Sequence, residues 1–301
     1  PTAGSTANGV VSVASNKFSD AAGNFNIDGS DANNVVTMTV DSTVPTVAVS
    51  TSLNALKVGD TPTITFTLSK PSTDFTLSDI VVTGGTLSNF SGSGQVYTAT
   101  FTPTPGSIAN GTVNVPSGVF SDALGNINAD GAEANNTVSM TVDTQRPTIA
   151  ITANKTQLGP NETATISFTL SEASSDFTLT DVAVTGGTLS NFSGSGKNYT
   201  ATFTPVLGTL ASGMVSVASE KFSDAAGNFN FDGADPDNTV TFAYDNTPPT
   251  IAITSDKTTL KAGDTATITF TLSEPVADLP QGNITVSGGT RTGITPVAST
   301  A

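Results

Sequence analysis

Apolar and polar residues alternate in short bursts along this chain, and the bursts are separated by clusters of Gly, Asn and Asp. Between Asp143 and Asp245 the alternation predicts strands at Thr148 to Ala153, Ala164 to Leu170, Val182 to Val184, Tyr199 to Thr204, Met214 to Ala218 and Val240 to Tyr244. A period of two puts alternate side chains on one face, as a half-buried strand requires. The intervening Gly and Asx residues form turns because they tolerate left-handed backbone and bond to their own main chain. Lys and Glu, the usual surface helix formers, are sparse, so no stretch reads as helix.

The pattern repeats as a whole. Thr83 to Gly94 (TGGTLSNFSGSG) recurs unchanged at Thr185 to Gly196, and Phe18 to Asn26 (FSDAAGNFN) recurs at Phe222 to Asn230. Pro45, Pro147 and Pro249 keep a spacing of 102 residues, as do Asp41, Asp143 and Asp245 just before them. A period near 100 means whole domains in tandem, because solenoid units recur every ~20–50 residues. Short strands at this density predict an all-β chain of Ig-like β-sandwich domains, arranged head to tail. The predicted units are the C-terminal part of a repeat at 1–42, complete repeats at 43–144 and 145–246, and the N-terminal part of a repeat at 247–301. Each boundary has the form Asp-x-x-x-Pro-Thr, where Pro fixes φ and lacks a donor, so no sheet ladder runs through. Such short, stiff linkers predict a rod.

Composition narrows the chemistry. The chain has no Cys, His or Trp, and 25 Asp plus Glu against 10 Lys plus Arg leave a formal charge of −15. Without imidazole or thiol, Ser-His-Asp and Cys-His nucleophiles and ordinary zinc sites cannot be built, whereas oxygen-liganded hard cations can. Scattered Lys and Arg cannot neutralise a phosphate backbone, which argues against nucleic acid. No apolar run reaches the ~18 residues of a membrane span, and Pro1 opens no signal pattern, so the chain is expected to be an excerpt of a longer one. Zero Cys suits a reducing compartment or a large exported bacterial protein equally.

The richest chemistry lies in one loop present three times: Asp20, Asn24, Asn26, Asp28 and Asp31; Asp122, Asn126, Asn128, Asp130 and Glu133; Asp224, Asn228, Asn230, Asp232 and Asp235. Its Asn-x-Asn-x-Asp-Gly core places oxygen ligands at every second position before a Gly turn, like the first half of an EF-hand loop. The second half is missing, because Val35, Thr137 and Thr239 stand where the closing Glu belongs. Other segments must complete a shell. In a seven-stranded sandwich the incoming linker and the second-to-third and sixth-to-seventh connections share one pole. Asp143, Glu172, Asp176, Asp181 and the Asp224 loop should therefore converge, with Asp60 of the preceding domain facing them. A divalent cation would turn the repulsion among these carboxylates into attraction. Lys70 takes the place of Glu172 in the first complete copy and so removes one carboxylate from the junction of Asp41 and Asp122. The linker Asp residues, Asp245 included, and the acidic loops rank above the second-to-third connection. Against this stands the plain alternative that Asp, Asn and Gly form good solvated turns.

The DxTxPT linker, TxTITFTLSE, DFTxxDVxVxGGTLSNFSGSG, YTATFTP and FSDAAGNxNxDG occur in order along essentially the whole chain. Together they resemble the bacterial Ig-like tandem repeats of giant biofilm-associated and RTX-type adhesins. That resemblance implies export to the cell surface, an array between a membrane anchor and an adhesive tip, and dependence on calcium.

The expected function is a non-enzymatic stalk of a secreted adhesin or biofilm-matrix protein, stiffened by calcium at its junctions. Neighbouring repeats of the same chain are its partners, with further copies of itself in a filament or matrix as a second possibility. A filament would arise if the incomplete repeat at one end were finished by the incomplete repeat of another molecule. A direct glycan, ice or partner-binding module is the other alternative, and Thr-rich strands keep it open. A Lys–Asn isopeptide crosslink is disfavoured because no aligned position carries Lys in every copy. The repeated Phe residues read as core, the Gly-rich segments as turns with an edge bulge, and a paired-carboxylate glycosidase lacks a cleft in so small a sandwich.

Overall fold

The computed structural model describes residues 1–301 except 28–31, 131–133, 160, 207–209, 233–234, 246, 277–278 and 296–301. Among the described residues it consists of strands joined by turns and three-residue 3-10 segments. In the repeat after Asp143, Ile149–Ala153, Ala164–Ser174 and Gly187–Pro205 form one sheet in that order. The other sheet runs Gln157–Leu158, Thr239–Asp245, Leu210–Val217, Val182–Thr185. All ladders are antiparallel except that of Gln157–Leu158, which lies parallel to the last strand. The chain thus crosses from one sheet to the other within its first two strands. Residues 47–142 repeat this arrangement.

Alternation sets the two faces. Along Ala164–Ser174 the residues Ile166, Phe168 and Leu170 point into the sandwich and are 0–1% exposed, while Thr165 and Thr169 face out. Each such buried side chain contributes about 1.5–3 kcal/mol. The inner faces meet in two separate cores, one built from Phe66, Phe75, Phe101 and Phe120 with their aliphatic neighbours, the other from Phe168, Phe177, Phe203 and Phe222. Among the described residues no core residue is shared, so each repeat is its own domain.

The strands at Ala164 and Tyr199 run further than alternation predicts. Gly187–Pro205 spans 19 residues because it folds back on itself: Ser193 Oγ lies 3.4 Å from Thr200 Oγ1, and Asn191 Nδ2 donates to Thr202 Oγ1. Gly194, at φ +144°, makes this reversal possible, since a Cβ there would meet the Asn198 carbonyl oxygen at 2.3 Å. Ala164–Ser174 outlasts its regular ladder, and the register shifts between Thr169 and Ser174. Thr67 to Ser72 shows the same irregularity. A bulge re-aims the side chains beside it, and here those are Glu172 and Lys70.

Among the described residues the outer segments carry one two-stranded ladder each, Gly9–Ser12 with Val35–Met38 and Ile251–Ser255 with Ile268–Leu272. Val10, Val36, Ile251 and Ile253 are exposed there.

Candidate metal centre

The acidic loop is braced from within. Asp224 accepts the backbone N–H and the side-chain amide of Asn228, both at 2.9 Å. Asp122 and Asp20 hold Asn126 and Asn24 in the same way. Asn230 Oδ1 accepts the N–H groups of Lys221 (2.7 Å) and Phe222 (3.2 Å), while its Nδ2 donates to the Ala218 carbonyl. Asn128 and Asn26 repeat these bonds. Asp232 accepts the buried N–H of Ile149 at 2.7 Å, and Asp130 that of Val47 at 2.7 Å. The loop is thereby tied to the first strand of its own repeat.

The remaining acidic residues divide by position. Asp176 receives the backbone N–H (2.9 Å) and hydroxyl (2.6 Å) of Ser223 and so clasps the connection between Ala164–Ser174 and Val182–Thr185 to the acidic loop, as Asp74 does with Ser121. Because Gln157–Leu158 forms an additional strand, this connection is third-to-fourth and not second-to-third. Asp181 accepts the N–H of Thr178 in a capping box, and Asp235 caps a 3-10 turn. Asp245 accepts the N–H of Thr247. Glu133, Asp28 and Asp31 lie outside the described residues. Asp60 accepts the N–H of Lys57 and so closes its own turn.

Three of the expected residues converge. Asp143, Glu172 and Asp224 each offer a carboxylate oxygen, and these oxygens lie within 4.8 Å of one another. They come from the linker, the bulged end of the second long strand, and the start of the acidic loop. Asp224 is 8% exposed and the other two are half-buried. Burial first, then the charges of Asp143 and Asp224, push the Glu172 carboxyl above the ordinary glutamate range, with Lys197 pulling weakly the other way. Two ligands of one calcium ion, each roughly 2.3–2.6 Å from it, stand at most about 5 Å apart. The cluster therefore fits a hard divalent cation. Without one, each ionised pair repels by on the order of 1–4 kcal/mol, between the bulk-water and near-surface limits.

At the preceding boundary the same positions carry Asp41, Lys70 and Asp122. Lys70 Nζ lies 2.8 Å from Asp41 Oδ1 and 3.0 Å from Asp122 Oδ2, and donates to the Thr43 carbonyl at 2.6 Å. Burial alone would raise the Asp122 carboxyl, but hydrogen bonds from Asn126, Lys70 and Leu124 prevail and hold it at about 2. Lys70 is raised despite its desolvation, because both aspartates bond to it. The sequence showed Lys70 as a missing carboxylate. Its use as a replacement charge became visible only once the bulge had aimed it inward.

Contacts also run across the Asp143 boundary. Asn228 Nδ2 donates to the Asp143 carbonyl at 3.1 Å, and Asn228 Oδ1 accepts the N–H of Val58, in the preceding repeat, at 2.8 Å. Val58, not Asp60, is the residue of that turn that bonds to the acidic loop. No sequence signal marks it, because the donor is a backbone group.

Three solved structures are similar over much of the chain. An Escherichia coli adhesin, FdeC, aligns at 16% identity and TM-score 0.33, over 75% of this chain and 72% of its own. The Yersinia pseudotuberculosis adhesin InvE aligns at 14% and 0.28, and InvD of the same organism at 17% and 0.28. These two alignments cover 66% and 72% of this chain, but only 58% and 64% of InvE and InvD. No curated protein sequence matches. The family described as bacterial Ig-like domain matches residues 41–141, 143–244 and 245–300. The chain therefore belongs to the bacterial Ig-like domain family, in three tandem matches.

Proposed function

We propose that this chain is a non-catalytic extender segment of a bacterial cell-surface adhesin or matrix protein, with calcium stiffening the boundary at Asp143. The observation that carries this reading is the convergence of Asp143, Glu172 and Asp224 at an interdomain linker, with carboxylate oxygens within 4.8 Å. Tandem family domains at constant spacing supply length, and Pro-bearing linkers limit bending. A cation held by the linker, the sandwich edge and the acidic loop would fix the linker's direction. Asn228 then passes that constraint to Val58 of the preceding domain. The carboxylates would supply at least three oxygens of a shell of about six to eight, and water the rest. Small-angle scattering and thermal melting with calcium and with chelator test the reading. Calcium should lengthen the particle and raise the melting temperature, and identical profiles and melting temperatures would overturn it.

A second reading has one observation in its favour. Across the outer face of the three-stranded sheet Thr152, Ser167, Thr200 and Ser193 form a hydroxyl row, matched by Ser50, Thr65, Thr98 and Ser91 in the preceding repeat. Such a row could bind a glycan edge-on. Glycan-array binding that Thr200→Val and Thr98→Val both abolish would support it, and an array without signal would remove it.

A further inference from the structure

The two boundaries share a backbone and differ at one decisive side chain. Lys70 and Glu172 stand 102 residues apart, each just inside the same register shift, between a linker aspartate and the first aspartate of the acidic loop. The flanking groups are alike: Asn126 Nδ2 donates to the Asp41 carbonyl at 3.1 Å, as Asn228 Nδ2 does to that of Asp143. Between the two aspartates the charge is reversed.

We propose that the residue at this position decides how each boundary is held: Lys70 is a built-in cation that makes the Asp41 boundary indifferent to metal, whereas Glu172 makes the Asp143 boundary take a divalent ion. The second half rests on the calcium reading above, and the first half stands without it. An ammonium has three N–H donors and no acceptor. Lys70 spends all three, on Asp41, Asp122 and the Thr43 carbonyl, at 2.6–3.0 Å. A metal ion entering there would have to displace an ammonium already paired with both carboxylates. Among the described residues no lysine or arginine pairs with Asp143, Glu172 or Asp224, and Lys197 donates instead to the Ser171 carbonyl. The sister boundary is the independent sign that this pair of aspartates is arranged around a cation, because there the cation is visible. In calcium-poor surroundings the Asp143 boundary would then loosen while the Asp41 boundary stays fixed, so the placing of Lys and Glu along the array would set the length of its rigid units.

Calcium titration of the full chain, by calorimetry with bound ions counted by equilibrium dialysis, tests this with Lys70→Glu, Glu172→Lys and Lys70→Gln. Lys70→Glu should bind one more ion than the parent, in the range of about 0.1–1 mM common to extracellular modules. Glu172→Lys should bind one fewer. Lys70→Gln should gain none and should lose amide-exchange protection around Asp122 whether or not calcium is present. An unchanged ion count in a cooperatively melting Lys70→Glu chain overturns the inference. If that variant does not fold, Glu172→Lys decides: one ion fewer sustains the inference, and an unchanged count overturns it. A parent chain that binds no calcium overturns the functional reading. The gain or absence of an ion in Lys70→Glu then judges the lysine position alone.

Discussion

The boundary at Asp41 and the boundary at Asp143 are built from the same parts and reach opposite electrostatic states. One encloses two carboxylates and an ammonium, the other three carboxylates. The loop bracing, the bulge and the clasp to Ser121 or Ser223 are common to both. The difference that sets the charge between the two aspartates is one side chain, Lys70 or Glu172, which sits at a domain pole and not in either core. A tandem array can therefore vary its joints independently of its domains.

The most severe way to break the comparison is to remove the scaffold that both boundaries share. Phe120 and Phe222 are 2% and 0% exposed, and each packs edge-on against Phe75 or Phe177 at 5.2 Å, two residues before the acidic aspartate. Phe120→Ala and Phe222→Ala should each lower the stability of their own repeat by about 3–5 kcal/mol. Calorimetry should resolve one early transition in each variant. A loss in both repeats at once would show that the domains do not unfold independently.

Calcium should separate the two. At free calcium about 100-fold above its Kd, linkage stabilises the binding state by about 2.7 kcal/mol. Hydrogen exchange should show that gain in peptides around Phe222 and not in those around Phe120. Equal protection in both would mean that Lys70 does not exclude the ion.

Much of this was legible in the sequence, and the part that was not has a definite physical cause. The period, the strands and the cores follow from alternation and from identical motifs, which local pattern records directly. Convergence at the pole followed from strand parity, which placed Asp143, Glu172 and Asp224 at one end. Pattern alone could not apportion the acidic residues, because an aspartate that caps a backbone N–H looks like one that holds an ion. Asp130 and Asp232 are the clearest instance: each meets a buried N–H from a strand 83 residues away in sequence. Nor could it show a bulge turning Lys70 inward, since the register shift arises from pairing with a distant strand.

That division of labour is itself open to test. Asp130→Ala and Asp232→Ala leave the N–H of Val47 or Ile149 buried without its acceptor, which should cost about 1–3 kcal/mol in either repeat. The loss should be the same in calcium and in chelator, as read by urea denaturation. If Asp232→Ala instead abolished calcium binding in a chain that still folds, Asp232 would move from brace to ligand.

The smallest expected effect is also the one in which the two boundaries should differ in sign. In chelator, Glu172 titrates above its ordinary value of 4.5, so across that window the folded repeat keeps a proton that the unfolded chain has released. Stability of the second repeat should therefore fall as pH rises through the window, and calcium should abolish the fall by favouring the ionised form. Asp122 behaves oppositely. Its folded value of about 2 lies below the unfolded 3.8, so its contribution is present above 3.8 and lost as pH drops towards 2. Lys70, despite its desolvation, is raised above 10.5 by Asp41 and Asp122, so its contribution goes with their charge in acid and is lost again as pH rises past that value. Asp74 and Asp176, held low against burial by hydrogen bonds from Ser121 and Ser72 or from Ser174 and Ser223, occur in both repeats and cancel in the comparison. Parallel pH titrations of exchange protection around Phe120 and Phe222 should thus diverge in chelator and converge in calcium. Curves that run parallel in chelator would mean that Glu172 and Lys70 are electrostatically equivalent, and the contrast between the two joints would be lost.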